Sequence, residues 1–295
     1  MFQKLRKSKK LLLVAMACAT FAIAGCGSDT TKNAADNGNA VTWSETFDGT
    51  KTDFAVKSSP THAVSMSQAT TEMMLQLGLE DKMAGTAFKE EEIYPPLQAA
   101  YDKVKVLSDK WPSYEVFMSV KPDFATGWPD SFSKRAIPAD KMIAQKVNIW
   151  LPESMLSTKA DLETNFNDMI KLGEIFGVKS KAEEWVAGQR KTLAAIQDKL
   201  KDLPRKRVFI YDSEDGQPFT AFEGYTTNIL KLIGADNVMS GLGVDKTWAK
   251  GSWETVIAQN PDYIIIADYG TSIRNDDDFQ QKIEKIKSNP QLQDI

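Results

Sequence analysis

The chain has 295 residues, of which 42% are hydrophobic and 26% charged, with 36 basic against 40 acidic side chains, one His and two Cys. At about 100–200 residues per domain this length allows one large or two ordinary domains with real cores, and the composition excludes collagenous, disordered and disulfide-scaffold chains. A formal net charge of −4 argues against a protein that wraps a nucleic-acid backbone, and a single His leaves too little for a His-rich zinc site or a Ser-His-Asp triad.

Residues 1–25 read as a lipoprotein signal peptide. Lys4, Arg6, Lys7, Lys9 and Lys10 precede the apolar stretch Leu11 to Ala24, 14 residues long. A membrane span needs about 20 apolar residues and a secretory core about 7–15. The stretch ends Ile23-Ala24-Gly25-Cys26, the pattern of a bacterial lipobox, so Cys26 is the expected lipid-attachment site and mature N-terminus. The other reading is an ordinary signal peptide with an incidental Cys26. Cys18 leaves with the signal, so no internal disulfide is expected, and the formal charge shifts from −4 to −9. Residues 26–40 are small and polar without apolar periodicity, and read as a flexible tether.

The expected elements then follow in order. Ala63 to Met66 is a short buried strand. Thr71 to Gly78 is a helix with a hydroxyl at the N-cap, Met73, Met74 and Leu77 on one face and Gly78 as its stop. Strands are expected at Val104 to Leu107, Phe124 to Thr126 and Val147 to Trp150. Residues 159–202 carry no strand signal. Within them Ala182, Trp185, Val186, Gln189, Leu193, Ile196 and Leu200 recur at helical spacing, a rod of about 33 Å that Pro204 ends. Arg207 to Tyr211 is the next strand, Thr227 to Gly234 a helix, and Tyr263 to Ala267 a strand with three consecutive Ile.

Two of these passages repeat. Ser113-Tyr114-Glu115 with Pro122-Asp123-Phe124 returns as Ser252-Trp253-Glu254 with Pro261-Asp262-Tyr263 at an offset of 139. Thr70-Thr71 running to Gly78 returns as Thr226-Thr227 running to Gly234 at an offset of 156. Two matches in the same order predict two lobes on one plan: an α/β fold of two Rossmann-like lobes with parallel sheets, joined by a long rigid interdomain helix. The expected boundaries are 41–158 for the N-terminal lobe, 159–202 for the helical segment and 203–295 for the C-terminal lobe.

From Val41 onward this arrangement resembles the substrate-binding proteins of ABC importers for ferric siderophores, haem and cobalamin. Ala69-Thr70-Thr71-Glu72 with Leu77-Gly78-Leu79-Glu80-Asp81 is similar to the first helix of that family, Lys121-Pro122-Asp123 to a strand start, and Ser252-Trp253-Glu254 with Asn260-Pro261-Asp262 to its C-lobe signature. The resemblance implies that Glu115 and Glu254, one per lobe, face the Arg residues of a permease dimer. Both also fit plain helix starts, where a carboxylate contributes about 0.3–1 kcal/mol. It further implies a lipid-anchored monomer on the outer face of the cytoplasmic membrane, in a periplasm or at a cell surface. The chain stops at Ile295, where the resemblance calls for one more strand and a terminal helix, so the second lobe is expected to be truncated, with an exposed sheet edge.

A ligand is expected between the lobes, at the C-terminal ends of the strands. The segments leaving those ends hold Phe88, Trp111, Trp128, Phe132, Tyr211, Tyr225, Trp248 and Tyr269, with Ser67 counted among the contacts. Flat aromatic walls suit a large, partly apolar chelate. Lys134 and Arg135 fit either the anionic periphery of a ferric chelate or a solvated pair. Asp212, Glu214 and Asp215 fit polar contacts or a weak Ca²⁺ site, although their spacing is not that of an EF-hand. His62 reads as a strand-start residue, and neither a metal site nor an intrinsic cofactor is expected.

The chain carries no Walker A sequence, no G-x-G-x-x-G turn, no H-E-x-x-H and no nucleophile elbow, so an enzyme is not expected. The expected ligand is an iron–siderophore complex, then a corrinoid, then haem. A surface adhesin or structural lipoprotein is the reading from a different class.

Overall fold

A computed structural model describes residues 40–268 and 279–292. It opens with an antiparallel hairpin of Val41–Phe47 (β1) and Thr50–Val56 (β2), turned by Asp48 and Gly49 at φ 47° and 79°. An Asp-Gly pair between alternating strands is the sequence signal for such a turn. It stands in the chain, but the sequence reading above assigns no element there.

Next come Ala63–Ser65 (β3), Gln68–Gln76 (α1), Met83–Ala87 (β4), Gln98–Tyr101 (α2), Val106–Ser108 (β5), Tyr114–Ser119 (α3), Phe124–Thr126 (β6), Ala139–Ala144 (α4) and Asn148–Trp150 (β7). The five strands pair in parallel in the order β5-β4-β3-β6-β7. Successive side chains enter opposite cores. Ala63, Phe124 and Trp150 pack on one face with Leu75 and Leu172, and Val64, Ala125 and Ile149 on the other with Phe117 and Met142. A sheet buried on both faces explains why these strands read as apolar runs rather than alternations. The hairpin packs beside β7, with Trp43 stacked on Phe54 at 5.7 Å and donating from Nε1 to the Ile149 carbonyl at 2.7 Å.

Leu162–Ile175 (α5) and Lys179–Leu200 (α6) connect the lobes. The second has the 22 residues that the spacing predicts. Its first half buries Ala182 and Val186 against α5, whereas beyond Arg190 only Leu193 and Leu200 are even half-buried and Ile196 is exposed. A helix that crosses from one lobe to the next has only water along much of that stretch. The side chain of Gln197 meets the far lobe at the Leu232 carbonyl, 3.4 Å away.

The second lobe holds Lys206–Tyr211 (β8), Ser213–Asp215 (β9), Gln217–Ala221 (β10), Tyr225–Leu232 (α7), Ala235–Asn237 (β11), Trp248–Lys250 (β12), Trp253–Gln259 (α8), Tyr263–Ile266 (β13) and Phe279–Ser288 (α9). Its parallel sheet runs β11-β8-β13, and a separate antiparallel sheet runs β12-β10-β9. That second sheet has no counterpart in the sequence expectation, and Gly216 at φ 69° makes its first turn. Among the described strands β13 lies at the edge of its sheet and exposes Tyr263 and Ile265.

The repeats have a physical basis. Asp123 accepts backbone N–H bonds from Thr61 at 2.8 Å and His62 at 3.0 Å, and returns its own N–H to the His62 carbonyl at 3.2 Å. Asp262 accepts from Arg207 N at 2.8 Å and donates back to its carbonyl at 2.8 Å. Each Pro-Asp therefore latches the foot of its strand to the central strand of its lobe. The preceding residues, Lys121 and Asn260, both sit in the left-handed region at φ 50° and 44°. Ser113 and Ser252 cap α3 and α8 through Val116 N and Thr255 N.

The other repeat works differently from expectation. Thr71 and Thr227 lie inside their helices, fully buried, rather than at the caps. Ser67 caps α1, while Thr71 Oγ1 sits 2.8 Å from the Ser67 carbonyl and 2.6 Å from Thr86 Oγ1, so the hydroxyl ties helix to sheet. Thr227 donates to the Phe222 carbonyl at 2.8 Å and accepts from Asn237 Nδ2 at 2.6 Å.

Replacing Asp123 with Ala strips two backbone donors of their partner, and replacing Asp262 strips one. We expect urea denaturation to show a loss of about 1–2 kcal/mol for Asp123→Ala and a smaller loss for Asp262→Ala. Equal, near-zero losses would remove the latch from the account of the fold.

Candidate functional site

Parallel strands release their loops at one end of the sheet, so the segments after β3, β4, β5 and β6 gather on one crest. Met66 is its centre. Its N–H donates to the Thr126 carbonyl at 2.8 Å, and its carbonyl accepts from Trp111 Nε1 at 3.1 Å and Ser131 Oγ at 3.2 Å. Gly127 leaves room for this approach, since a Cβ there would stand 3.0 Å from Met66 Cβ. Phe88 holds a left-handed φ of 59° and stacks on Trp111 with ring centroids 4.6 Å apart. Trp128 points its Nε1 at Glu90 Oε2, 3.3 Å away, and burial pushes the Glu90 carboxyl above its ordinary range.

Between the lobes lies a cavity of about 360 Å³. Ala69, Met73, Trp128, Ser154 and Met155 of the first lobe, Asn165 of α5, and Glu223, Tyr225, Thr226, Thr247 and Trp248 of the second lobe line it. A wider recess of about 640 Å³ shares Ala69, Met73 and Asn165 with it and runs past Glu72 and Tyr94 to Trp185 and Gln189. The lobes are tied beside the cleft, where Asn228 Nδ2 donates to the Ala160 carbonyl at 2.8 Å. Gly224, at φ 87°, is needed there: a Cβ would meet Thr247 Cγ2 at 2.8 Å. Trp248 stacks on Phe219 at 6.3 Å, and burial followed by the Asp168 charge raises the Tyr225 phenol above its ordinary range.

Of the expected contacts, Trp128, Tyr225 and Trp248 are therefore brought to one cavity. Phe88 and Trp111 pair with each other on the crest and do not line it. Ser67 is fully buried because its hydroxyl caps α1, and Phe132 is buried in the core. Tyr211 is also a core residue. Its ring stacks on Trp253 at 5.8 Å, and its hydroxyl donates to Glu214 Oε2 at 3.2 Å, whose other oxygen accepts from Trp253 Nε1 at 3.2 Å. A strand buried on both faces turns its last aromatic inward rather than into the cleft.

Arg135 is exposed and paired with Asp130, and Lys134 is exposed. Glu214 is committed to the aromatic core, and Asp215 pairs with Lys250 at 2.8 Å. Among the described residues no group of three or more His, Cys, Asp or Glu is placed to hold a metal ion, and no helix is long and apolar enough to cross a membrane. Glu115 and Glu254 are exposed in the first turns of α3 and α8. The backbone N–H of Glu115 and then the Ser113 hydroxyl hold the Glu115 carboxyl below its ordinary range. Cys26 and Tyr269 lie outside the described residues.

Several lining residues escape the sequence reading. Ser154 and Met155 follow β7 and obey the same strand-end rule that finds Trp128. Asn165 sits on a connecting helix, where no local signal marks it. Two buried carboxylates hold the 3₁₀ turn Glu153–Met155 and the segment that leads into it: Asp168 accepts from Glu153 N at 2.8 Å and Ser154 N at 2.9 Å, and Glu45 of β1 accepts from Leu151 N at 2.9 Å. Burial raises both. Glu45 is pushed up to about 7, with Glu153 and Asp168 adding repulsion against the pull of the Leu151 N–H.

Residues 64–295 match the family described as "Periplasmic binding protein". A solved periplasmic binding protein from Veillonella parvula is similar to the chain at 95% identity and TM-score 0.84, over 88% of this chain and 87% of that one. An uncharacterized ABC transporter substrate-binding lipoprotein of Bacillus subtilis is 26% identical over 89% of this chain and 82% of its own length. A vitamin B12-binding protein of Vibrio vulnificus is 23% identical over 76% of each.

The carboxylates under the 3₁₀ turn carry a pH signature. Glu45 has an ordinary value of 4.5, so between about 4.5 and 7 the folded state keeps a proton that the unfolded state has lost. Stability therefore falls as pH rises through that window. Glu45→Gln keeps the acceptor for Leu151 N and is expected to flatten the decline, adding about 3 kcal/mol at pH 8, read from urea midpoints between pH 5 and 8.

Proposed function

From the premise that the chain belongs to the periplasmic binding protein family and is a substrate-binding protein of an ABC importer, we propose that it captures an iron–siderophore-type chelate between its lobes and delivers it to a permease. The observation that carries this is the interlobe cavity itself: Trp128 from one lobe faces Tyr225 and Trp248 from the other. Large aromatic faces with few rotatable bonds bury a partly apolar chelate at low entropic cost. Cobalamin binding in the same cavity is the second reading, favoured by the vitamin B12-binding relative.

The route we propose starts with Cys26, whose lipid keeps the protein at the outer face of the cytoplasmic membrane, as a monomer. Ligand draws the lobes together modestly, because α6 and the Asn228–Ala160 tie limit hinge motion. Glu115 and Glu254, one per lobe at capped helix starts, engage a permease dimer and set its register. ATP hydrolysis by the importer supplies the energy for release.

Titration of intrinsic Trp fluorescence with a ferric siderophore, cyanocobalamin and haem tests the reading. One chelate is expected to bind without being turned over, and Trp128→Ala or Trp248→Ala to weaken it by about tenfold or more. No response to any of the three would reject capture of a metal chelate.

Docking is separable from capture. Glu115→Arg with Glu254→Arg is expected to abolish transport in a reconstituted importer while leaving chelate affinity within about twofold, since neither residue lines the cavity. A large loss of affinity would overturn the docking role.

A further inference from the structure

We infer that the chelate taken by this cleft is neutral or cationic, and that anionic chelates are excluded by charge. This rests on the proposed capture of a metal chelate. Among the described residues lining the two connected cavities there is no Lys, Arg or His, whereas Glu223 stands in the inner cavity and Glu72 in the recess. Both carboxylates are fixed in place. Glu223 accepts from Gly241 N at 2.7 Å and Ser240 Oγ at 3.0 Å, and Glu72 Oε1 accepts from Gln68 Nε2 at 2.9 Å and Tyr94 N at 3.2 Å. Of the two cations that the sequence analysis offers for an anionic ligand, Arg135 is on the surface and committed to Asp130, and Lys134 is exposed.

The walls act in the same direction. Trp128, Tyr225 and Trp248 line the inner cavity, and aromatic rings carry a quadrupole whose negative face attracts cations. Behind the lining, Glu90 meets the Trp128 Nε1, and Asp168 sits under Ser154. An anionic chelate would enter a cleft beside fixed carboxylates with no described counter-ion, a juxtaposition of like charges that disfavours binding. A ferric tris-hydroxamate, in which three hydroxamates balance the ferric ion, brings no such charge, and a pendant ammonium would gain from Glu223 or Glu72. A ferric tris-catecholate keeps a large negative charge, and haem keeps two propionates.

The test uses Trp fluorescence of the purified full chain with five probes: a ferric tris-hydroxamate bearing a free ammonium, the same chelate acetylated on that amine, a ferric tris-catecholate, cyanocobalamin as a neutral corrinoid, and haem. The hydroxamates are expected to bind at least about a hundredfold tighter than the tris-catecholate, and cyanocobalamin than haem. Any advantage of the ammonium form should shrink as salt rises, and should fall about tenfold in the Glu72→Gln and Glu223→Gln variant. The salt series on the unmodified protein serves if Glu223→Gln disturbs the Ser240–Gly241 turn. Binding of the catecholate or haem as tight as their uncharged counterparts overturns the charge inference while leaving chelate capture intact. Failure of all five probes removes chelate capture and the charge inference with it.

Discussion

Everything at the cleft depends on a carboxylate at the opposite end of the sheets. Asp123 and Asp262 lock the foot of one parallel strand to the foot of its neighbour, through backbone N–H groups at 2.8–3.0 Å in one lobe and 2.8 Å in the other. Parallel pairing has no tight turn to set its register. With the feet aligned, strands of only three or four residues end level, and their loops form a crest rather than a ragged edge. Met66, Gly127 and Trp128 hold their places because β3 and β6 stop together.

The second constraint is how the molecule manages buried charge near the site. Glu45, Asp168, Glu90 and Glu223 each accept from at least one N–H or O–H donor, and those bonds shape the walls: the Glu153–Met155 turn, the Trp128 ring and the Ser240–Gly241 turn. Carboxylates used as scaffolding in this way leave a cleft rich in acceptors and, among its described lining residues, without cationic side chains. The same groups thus tie the shape of the cavity to its electrostatic preference.

Connection between the lobes follows from helix physics. A 22-residue helix with an apolar stripe in its first half and a largely solvated second half docks firmly on one lobe and reaches the other as a strut. The contacts of α7 with the preceding segment, through Asn228 and the glycine at 224, close one side of the cleft. A strut of this kind resists a wide swing of one lobe against the other.

The sequence by itself determined the lobe plan, the long connecting helix and the end of the sheets where the loops gather, because these rest on local periodicity, capping and an internal repeat. Ser113, Ser252, Asp123 and Asp262 are legible for the same reason: each acts on backbone a few residues away or at the foot of the next strand. The hairpin at Asp48-Gly49 was equally legible by its turn chemistry. What only the tertiary structure decided is the direction of each aromatic and charged side chain. Tyr211, Phe132 and Ser67 end strands or loops just as Trp128 does, yet packing turns them inward, and Asn165 reaches the cavity from a helix with no local mark. Arg135 finds Asp130 before it can find a ligand. Such choices depend on which neighbour lies within a few ångströms across the fold, and sequence spacing carries no record of that distance.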